Sequence, residues 1–301
     1  MENLYDVIII GGGPAGLTAA IYAGRANKKA LILEKGTFGG QITSSPKVEN
    51  IPGFVSVTGN EFAEKLVEQA MALDAEIECA EVLKVVPGTP HKVITDEGEF
   101  FGKAIIVATG TKHRLLGLEK EEEFIGNGIS FCAVCDGAFY EGKTVAVIGG
   151  GNSALQEALL LSELCKKVYV VQNLDVLTGE DKLQKGVYEK ENIEVILGSV
   201  VESLLGDTEL TGIRIKNDAE SQELMLDGIF VAIGLIPQNE ALSGVVTLND
   251  YGYVEADENC RTNVDGIFVA GDCRSKRIRQ VATACADGAV AALAACDFIS
   301  E

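Results

Sequence analysis

Two cysteines, Cys132 and Cys135, lie three positions apart in the segment SFCAVCDGAFYEG, residues 130–142. Such a pair can ligate a metal, form a static crosslink, or open and close as a redox-active disulfide. A zinc site normally needs four ligands, and the chain has only two histidines, His91 and His113. A static disulfide closing so small a loop removes little entropy from the unfolded chain and is unusual in the cytosol. The spacing therefore favours a redox dithiol, in which one thiolate attacks and the other resolves.

An acidic residue, Asp136, directly follows the second cysteine. It is either a solvated loop residue or a general acid for the dithiol. A partly buried carboxyl can hold a proton at neutral pH and give it to a departing thiolate. We therefore predict Cys132, Cys135 and Asp136 as the catalytic residues.

A glycine-rich turn, GGGPAG, follows the apolar run YDVIII and precedes a helical stretch of small residues and a second apolar run. This order is one βαβ unit, whose turn binds the pyrophosphate of a dinucleotide. Gly11 permits the tight turn, Gly13 the approach of the pyrophosphate, and Gly16 the packing of helix on strand. Glu34 ends the second strand, where an acid can bond a ribose hydroxyl. The sequence predicts a dinucleotide site here.

The same pattern returns in the middle of the chain, with Gly149, Gly151 and Ala154 in the turn. Here the second strand ends in Gln172, followed by Asn173, where an acid would suit NAD and arginines would suit NADP. The turn therefore predicts a second dinucleotide site. Gln172 and Asn173 at its ribose end do not indicate whether it binds NAD or NADP. The alternative is a vestigial domain kept for packing or for the geometry between domains.

The elements around these sites are those of an α/β protein, because further strands run into glycine turns in AIIVATGT, GIFVAIGLIPQ and GIFVAGDC. A helix is predicted over 60–73 with Asn60 as its cap, and the alanine-rich C-terminal stretch is expected to pack against a sheet. The acidic segment GLEKEEEF, 117–124, is most simply a solvated boundary between domains. Six cysteines without close spacing are expected to be buried small hydrophobes: Cys79, Cys165, Cys260, Cys273, Cys285 and Cys296.

The composition argues against several classes of protein. A formal charge of −20 disfavours nucleic-acid binding, which needs surplus Lys and Arg. A hydrophobic content of 47% and 34 glycines fit a packed, turn-rich chain rather than a disordered one. The longest apolar runs are strand-sized, and the start of the chain enters a strand without room for a signal peptide. We expect a cytoplasmic protein that binds no nucleic acid, membrane or metal.

With these motifs in place, the chain resembles the low-molecular-weight (bacterial-type) thioredoxin reductases over essentially its full length. This group belongs to the flavoprotein pyridine nucleotide-disulfide oxidoreductases. The segments that carry the resemblance are GGGPAGLTAAIYAGR, GGQI, VENIPGF, IIVATGT, FCAVCDGAFYEGKTVAVIGGGNSALQEALLL, FVAIGLIPQNE and GIFVAGDCRSKRIRQVATACADG.

The resemblance implies an α/β fold of two Rossmann-like, three-layer β/β/α dinucleotide-binding domains, the second inserted into the first. The discontinuous FAD domain would span 1–114 and 246–301, and the NAD(P)-binding-like domain with the dithiol would span 115–245. The resemblance also implies a homodimer and a rotation between the domains, for which we expect hinges near 112–118 and 240–248.

The resemblance further implies roles for single residues. Cys135 would face the flavin and form the charge-transfer thiolate, Cys132 would attack the disulfide of thioredoxin or a thioredoxin-like protein, and Asp136 would supply the proton. Asp272 would bind the ribityl chain of FAD, and Arg279, Gln280 and Val281 would approach the isoalloxazine. The implied FAD site consists of Gly11, Gly13, Gly16, Glu34, Gln41, Asn50, Asp272, Arg279, Gln280 and Val281.

The chain departs from this family at the second nucleotide site. Typical members carry a His-Arg-Arg run and a further arginine that clamp the 2′-phosphate of NADPH, where this chain has Gln172, Asn173, Leu174 and Thr178. Each lost contact costs on the order of 1.5–3 kcal/mol, so a strong preference for NADPH is not expected.

Several electron donors and roles therefore stay open. The first candidate donor is NADH or NADPH. Gln172 or Asn173 would then bond the ribose hydroxyls, and the turn of Gly149, Gly151 and Ala154 would bind the pyrophosphate. Reduced ferredoxin or another protein donor is the alternative, and a dithiol oxidase is a third. A non-enzymatic flavin redox sensor, or a flavin ferredoxin–nucleotide reductase, would not require the cysteine pair.

Overall fold

The computed structural model describes residues 3–45, 47–217 and 220–300. The chain forms two compact units. The first unit contains the residues up to Lys112 and those from Ile236 onward, and the second spans His113–Leu235. The second unit is therefore inserted into the first.

The structure places both boundaries earlier than the sequence analysis does. The first lies at 112/113 rather than 114/115, and the second at 235/236 rather than 245/246. The second difference has a packing reason, because Leu242 and Val246 belong to a hydrophobic core of the first unit. The buried Asn239 side chain also donates to the carbonyl groups of Gly252 and Cys273, at 2.9 and 3.3 Å.

The elements follow in chain order. The first unit begins with β1 (Leu4–Ile10), α1 (Pro14–Arg25), β2 (Ala30–Glu34), α2 (Gly59–Met71), β3 (Glu76–Cys79), β4 (Val82–Val86), β5 (His91–Thr95) and β6 (Glu99–Val107), and β7 (Thr111–His113) leads out of it. The second unit contains α3 (Glu121–Phe124), β8 (Ile129–Ser130), α4 (Ala133–Asp136), β9 (Thr144–Ile148), α5 (Asn152–Leu164), β10 (Lys167–Val171), α6 (Asp181–Tyr188), β11 (Ile193–Ile196), β12 (Val200–Gly206), β13 (Leu210–Lys216), β14 (Ser221–Met225) and β15 (Gly228–Val231). The chain returns through β16 (Leu235–Pro237) and ends with β17 (Ile267–Val269) and α7 (Val281–Ser300).

The first unit is built on a seven-stranded sheet in the order β3-β2-β1-β6-β5-β4, with β17 also paired to β6. Strands β3, β2, β1, β6 and β17 run parallel, whereas β5 pairs antiparallel with both β6 and β4. Val7, Ile8 and Ile9 of β1 are fully buried, as expected for a parallel strand covered on both faces. Helix α7 packs against α1 and against β6 and β17, which confirms that the C-terminal stretch packs on a sheet.

The second unit repeats this architecture. Its five-stranded parallel sheet has the order β11-β10-β9-β15-β8, and β12, β13 and β14 form an antiparallel sheet. Helices α5 and α6 pack against the parallel sheet, and α4 packs against α5. The predicted α/β fold class is confirmed.

Two local predictions were wrong. Helix α2 is capped by Thr58, whose hydroxyl accepts the Glu61 N–H at 3.1 Å, because Asn60 already lies inside the helix. Cys79 is exposed at the end of β3, whereas Cys165, Cys260, Cys273 and Cys296 are buried and Cys285 is half-buried.

The acidic segment 117–124 is more than a solvated boundary. Glu121 is only 2% exposed, and its carboxylate accepts the backbone N–H groups of Leu116 and Gly117 at 2.7 Å and of Leu118 at 3.3 Å. These three donors compensate for the burial of its charge. The chain is therefore fixed within the second unit from Leu116 onward.

Among the described residues, one helix is long and apolar enough to cross a membrane by length and composition, namely α7. It carries the buried Asp287 and packs against α1, β6 and β17. These contacts are those of a core helix of the first unit. The absence of membrane binding stays a prediction.

Candidate active site

Cys132 and Cys135 form a disulfide, with their Cα atoms 5.3 Å apart. Cys132 has an extended backbone just before the short helix α4, and its Sγ accepts the Cys135 N–H at 3.2 Å. Both cysteines are half-buried, and Val134 between them is 62% exposed. The predicted pair is therefore bridged and lies at the surface of its unit.

The Asp136 carboxyl lies at the end of α4 and is largely buried. Its Oδ2 accepts the Ser130 hydroxyl at 2.6 Å, while its buried Oδ1 has no partner among the described residues. Burial raises the pKa of this carboxyl, and the Ser130 hydrogen bond opposes the rise. The Ser130 hydroxyl oxygen also accepts the Cys132 N–H at 3.2 Å. Ser130 thus connects the candidate acid to the dithiol, and no sequence signal pointed to this residue.

The two histidines do not provide an alternative acid. The His113 ring stacks on Phe131, with ring centroids 4.3 Å apart, and burial lowers its pKa to about 4. Burial also lowers the pKa of His91, whose Nδ1 accepts the Gly88 N–H. Both rings are therefore uncharged at neutral pH. No cluster of three or more His, Cys, Asp or Glu side chains that could hold a metal occurs in the described ranges.

The first glycine turn has the geometry that the sequence predicts. Gly11 has φ of +110°, and a Cβ there would lie 2.3 Å from the Ala108 carbonyl oxygen. A Cβ on Gly16 would lie 1.9 Å from the Gly11 carbonyl oxygen, so the helix could not approach the strand. Gly13 caps α1 and has open space beside it. Glu34 supports this turn, because its Oε2 accepts the Gly12 N–H at 2.7 Å.

At the other end of the first unit, Asp272 lies in a 3₁₀ turn after β17. Its Oδ1 is buried, has no hydrogen-bond partner in the described part of the chain and lies 4.0 Å from the Lys276 Nζ, and burial raises the pKa of the carboxyl. Arg279 donates from Nε to the Asp272 carbonyl oxygen at 3.3 Å, and its guanidinium lies 4.2 Å from the centroid of the Tyr253 ring. Tyr253 was not predicted, because its contact with Arg279 is remote in sequence.

The remaining predicted FAD residues also belong to the first unit. Asn50 donates from Nδ2 to Gln280 Oε1 at 3.2 Å, so these two predicted residues meet. Val281, which follows, is the first residue of α7. Gln41 lies elsewhere, where its side-chain amide donates to the Thr111 carbonyl group.

These residues fit FAD. The turn at Gly11 and Gly13 offers backbone N–H groups and the start of α1 to a pyrophosphate. The unpartnered carboxyl oxygen of Asp272 is an acceptor suited to a ribityl hydroxyl.

An ion-pair network holds the segment that contains Asp272. Asp287 of α7 accepts hydrogen bonds from the Gly271 N–H at 3.1 Å, from Arg274 at 3.1 and 3.3 Å, and from Lys276 at 2.9 Å. Asp287 is 9% exposed. Sequence analysis missed this network, although an acid near the middle of an alanine-rich helix was a signal that could have indicated it.

The second glycine turn also has the predicted backbone. Gly149 has φ of +130°, Gly151 caps α5, and Ala154 is fully buried. The side chain of Gln172 packs against Gly150 and donates to the Val176 carbonyl oxygen at 3.3 Å.

The segment after β10 lies over this turn. The backbone N–H groups of Thr178 and Gly179 both donate to the Gly150 carbonyl oxygen, at 2.8 and 3.0 Å. Asn173, Leu174 and Val176 are exposed. The described segment from Gln172 to Gly179, at the expected ribose end of this turn, contains no arginine.

The sequence matches the pyridine nucleotide-disulphide oxidoreductase family over residues 5–288. It is 40% identical over 304 residues to the thioredoxin reductase of Listeria monocytogenes, covering 100% of this chain and 95% of that protein. It is 38% identical over 304 residues to the thioredoxin reductase of Bacillus subtilis, covering 100% of this chain and 96% of that protein. The crystal structure of thioredoxin reductase from Streptococcus pyogenes superposes with a TM-score of 0.95 at 35% identity, covering 100% of this chain and 99% of that chain. The chain belongs to the thioredoxin reductases of this family.

Membership in this family confirms the resemblance that the motifs indicate and makes the chain an oxidoreductase. It also implies the use of FAD and of a nicotinamide nucleotide. The residues that bind them, and the choice of nucleotide, are proposals.

Proposed function

We propose that this thioredoxin reductase homologue passes electrons from a nicotinamide nucleotide through FAD and the Cys132–Cys135 dithiol to the disulfide of thioredoxin or a thioredoxin-like protein. The observation that carries the proposal is the bridged cysteine pair beside the buried carboxyl of Asp136. A redox pair with an adjacent proton donor is what a disulfide reductase needs, whereas a sensor or a ferredoxin–nucleotide reductase needs neither.

In this proposal the first unit binds FAD. The turn at Gly11, Gly13 and Gly16 would hold the pyrophosphate, Asp272 the ribityl chain, and Arg279 with its neighbours the ring system. When bound, FAD accepts a hydride from a nicotinamide and passes two electrons to a disulfide.

Those two electrons break the Cys132–Cys135 bond, and the uptake of one proton converts the pair into a thiol and a thiolate. The Cys132 thiol gives its proton to water and attacks the partner disulfide as a thiolate, which forms a mixed disulfide and releases a partner thiolate. Asp136 protonates that leaving group, because its raised pKa lets it keep a proton to higher pH than an ordinary carboxyl does. Attack by Cys135 on Cys132 releases the second partner sulfur and restores the disulfide.

The structure of the second unit supports NADH over NADPH as the donor. The exposed rim after β10 carries Asn173, Leu174 and Asp175, so a 2′-phosphate would meet no cation and one acid. The intact turn at Gly149 and Gly151 supports a nicotinamide over reduced ferredoxin or another protein donor. A homodimer and a cytoplasmic location stay predictions.

The test is anaerobic reduction of the oxidised holoenzyme by NADH, NADPH or chemically reduced ferredoxin, followed by bleaching of the flavin absorbance. We expect NADH to bleach the flavin faster than NADPH, and thioredoxin to restore the absorbance. Bleaching by ferredoxin alone would overturn the choice of donor and leave the disulfide chemistry intact. Failure of thioredoxin to reoxidise the reduced enzyme would overturn the choice of acceptor.

A further inference from the structure

A second buried carboxyl lies near the dithiol and has no part in the steps above. Glu157 is on the face of α5 that carries Ala154 and Leu161, both fully buried. Its Oε2 is buried and has no hydrogen-bond partner in the parts of the chain that the structure describes. An unpaired buried carboxyl oxygen is costly and calls for a physical reason.

The surroundings of Glu157 point to the dithiol. Helix α5 packs against α4, and Ala133, the first residue of α4, lies in one buried cluster with Ala154, Ala158 and Leu161 of α5. The backbone N–H of Ala133 is close enough to the Glu157 carboxyl to lower its pKa. Ala133 follows Cys132 directly and is 3% exposed. The carboxyl, with its buried Oε2, therefore lies beside the residue that directly follows the attacking cysteine.

Burial decides the charge of Glu157. It raises the pKa of this carboxyl to about 8, against the opposing effect of the Ala133 N–H, and no charged side chain contributes to the shift. At neutral pH the side chain is mostly neutral. The elements packed against α5 carry the following titratable groups: Asp136 on α4, Tyr140 on the next 3₁₀ turn, Lys167 and Tyr169 on β10, and Asp181, Lys182, Lys185 and Tyr188 on α6, with none on β9.

We propose that Glu157 is a positioning residue that holds a redox-linked proton beneath the dithiol. Two electrons and one proton convert the Cys132–Cys135 disulfide to a thiol and a thiolate. The new negative charge disfavours a second charge nearby, so the Glu157 carboxyl keeps its proton to higher pH in the reduced than in the oxidised enzyme. At a pH at which Glu157 is a carboxylate in the oxidised enzyme, reduction of the disulfide takes up one additional proton, which converts this carboxylate to the neutral acid.

The test is the equilibrium between the holoenzyme and dithiothreitol, measured for wild type and Glu157→Gln from pH 6.5 to 9.5. The amide of glutamine keeps an acceptor for Ala133 but cannot titrate. We expect both proteins to respond alike below pH 7, and the wild type to become roughly 3–10-fold harder to reduce than the variant above pH 8. Glu163→Gln, at an exposed site of the same helix that pairs with Lys190, is the matched control and should follow the wild type.

A ratio between wild type and Glu157→Gln that does not change with pH would overturn the proposal. If the variant does not retain fold and flavin, the infrared difference spectrum of the wild type on reduction at pH 8.5 decides instead. Reduction should create the C=O stretch of a protonated carboxyl, and this band should persist in Asp136→Asn. Its absence overturns the proposal. Dithiothreitol needs neither a nicotinamide nor thioredoxin, so the proposed donor and acceptor can fail without affecting this result.

Discussion

Three buried carboxyl oxygens have no hydrogen-bond partner in the described part of the chain: Oδ1 of Asp136, Oε2 of Glu157 and Oδ1 of Asp272. Burial raises the pKa of all three groups. A fold selected for stability alone would pair or expose such groups, because each costs about 1–3 kcal/mol. Two of them lie beside the dithiol and the third lies in the proposed flavin site. At the scale of the residue, the unpaired groups therefore coincide with the proposed chemistry.

Asp136→Asn should slow transfer of electrons from the pre-reduced dithiol to thioredoxin by roughly a hundredfold, because the amide cannot donate a proton to the leaving thiolate. The wild-type rate of this step should fall as pH rises through the raised pKa of Asp136, and the variant should lack this fall. Stopped-flow kinetics from pH 5 to 9 measure both effects.

Ser130→Ala provides the complementary change. The Ser130 hydroxyl stabilises the Asp136 carboxylate and so lowers its pKa. Its removal should therefore move the fall in rate to higher pH. A shift to lower pH, or equal profiles for wild type and Asp136→Asn, would contradict the role of Asp136 as the acid.

At the scale of elements, loops after strands carry the site residues, and helices hold those loops in place. The segment from Gly271 to Lys276 is held by Asp287 of α7, through contacts of 2.9–3.3 Å. Arg274 and Lys276 are largely buried in these ion pairs, with 17% and 9% of their side chains exposed. The position of Asp272 therefore depends on a helix that follows it in the chain.

Asp287→Asn should lower the free energy of unfolding by about 3 kcal/mol, because it leaves the buried Arg274 without its carboxylate and Lys276 with only the Asp272 carboxylate at 4.0 Å. It should also weaken FAD binding about tenfold or more, since the loop with Asp272 loses its anchor. Chemical denaturation and the release of flavin fluorescence measure the two effects. Asp297→Asn, near the end of the same helix, is the control and should change neither. Unaltered FAD binding in a destabilised Asp287→Asn protein would show that the network serves stability alone.

The sequence was informative where structure is local. Both glycine turns, their strands and the cysteine pair follow from residues that are close in the chain, and the structure has each of them. Glu121, Glu157 and Asp287 escaped prediction because the N–H groups, helices and cations that surround them come together only in the fold. The boundary expected at 245/246 was wrong for the same reason, since Leu242 and Val246 pack on strands far away in sequence.

At the scale of the whole molecule, the chain crosses between its units twice, through β7 and β16, which pair with each other. Glu121 fixes the first crossing from Leu116 onward, and Asn239 fixes the second within the first unit. We therefore propose that the rotation between the units, which the family resemblance implies, would turn on 112–115 and 233–238. The hinge expected at 240–248 is replaced, because those residues belong to the first unit.

A glycine in the second crossing tests this inference. Gly234 has φ of +111° and Gly142, within the second unit, has φ of +71°, and a Cβ added to either glycine would meet no other atom within 4 Å. Alanine at either position should cost at least about 1 kcal/mol of stability through its positive φ. Only Gly234→Ala should also change the rate of turnover with thioredoxin, because only there does the strain fall within a proposed hinge. Its separate half-reactions, flavin reduction by the donor and oxidation of the reduced dithiol, should keep their wild-type rates when each is measured from its own starting state. Equal turnover in both variants would place the hinge elsewhere.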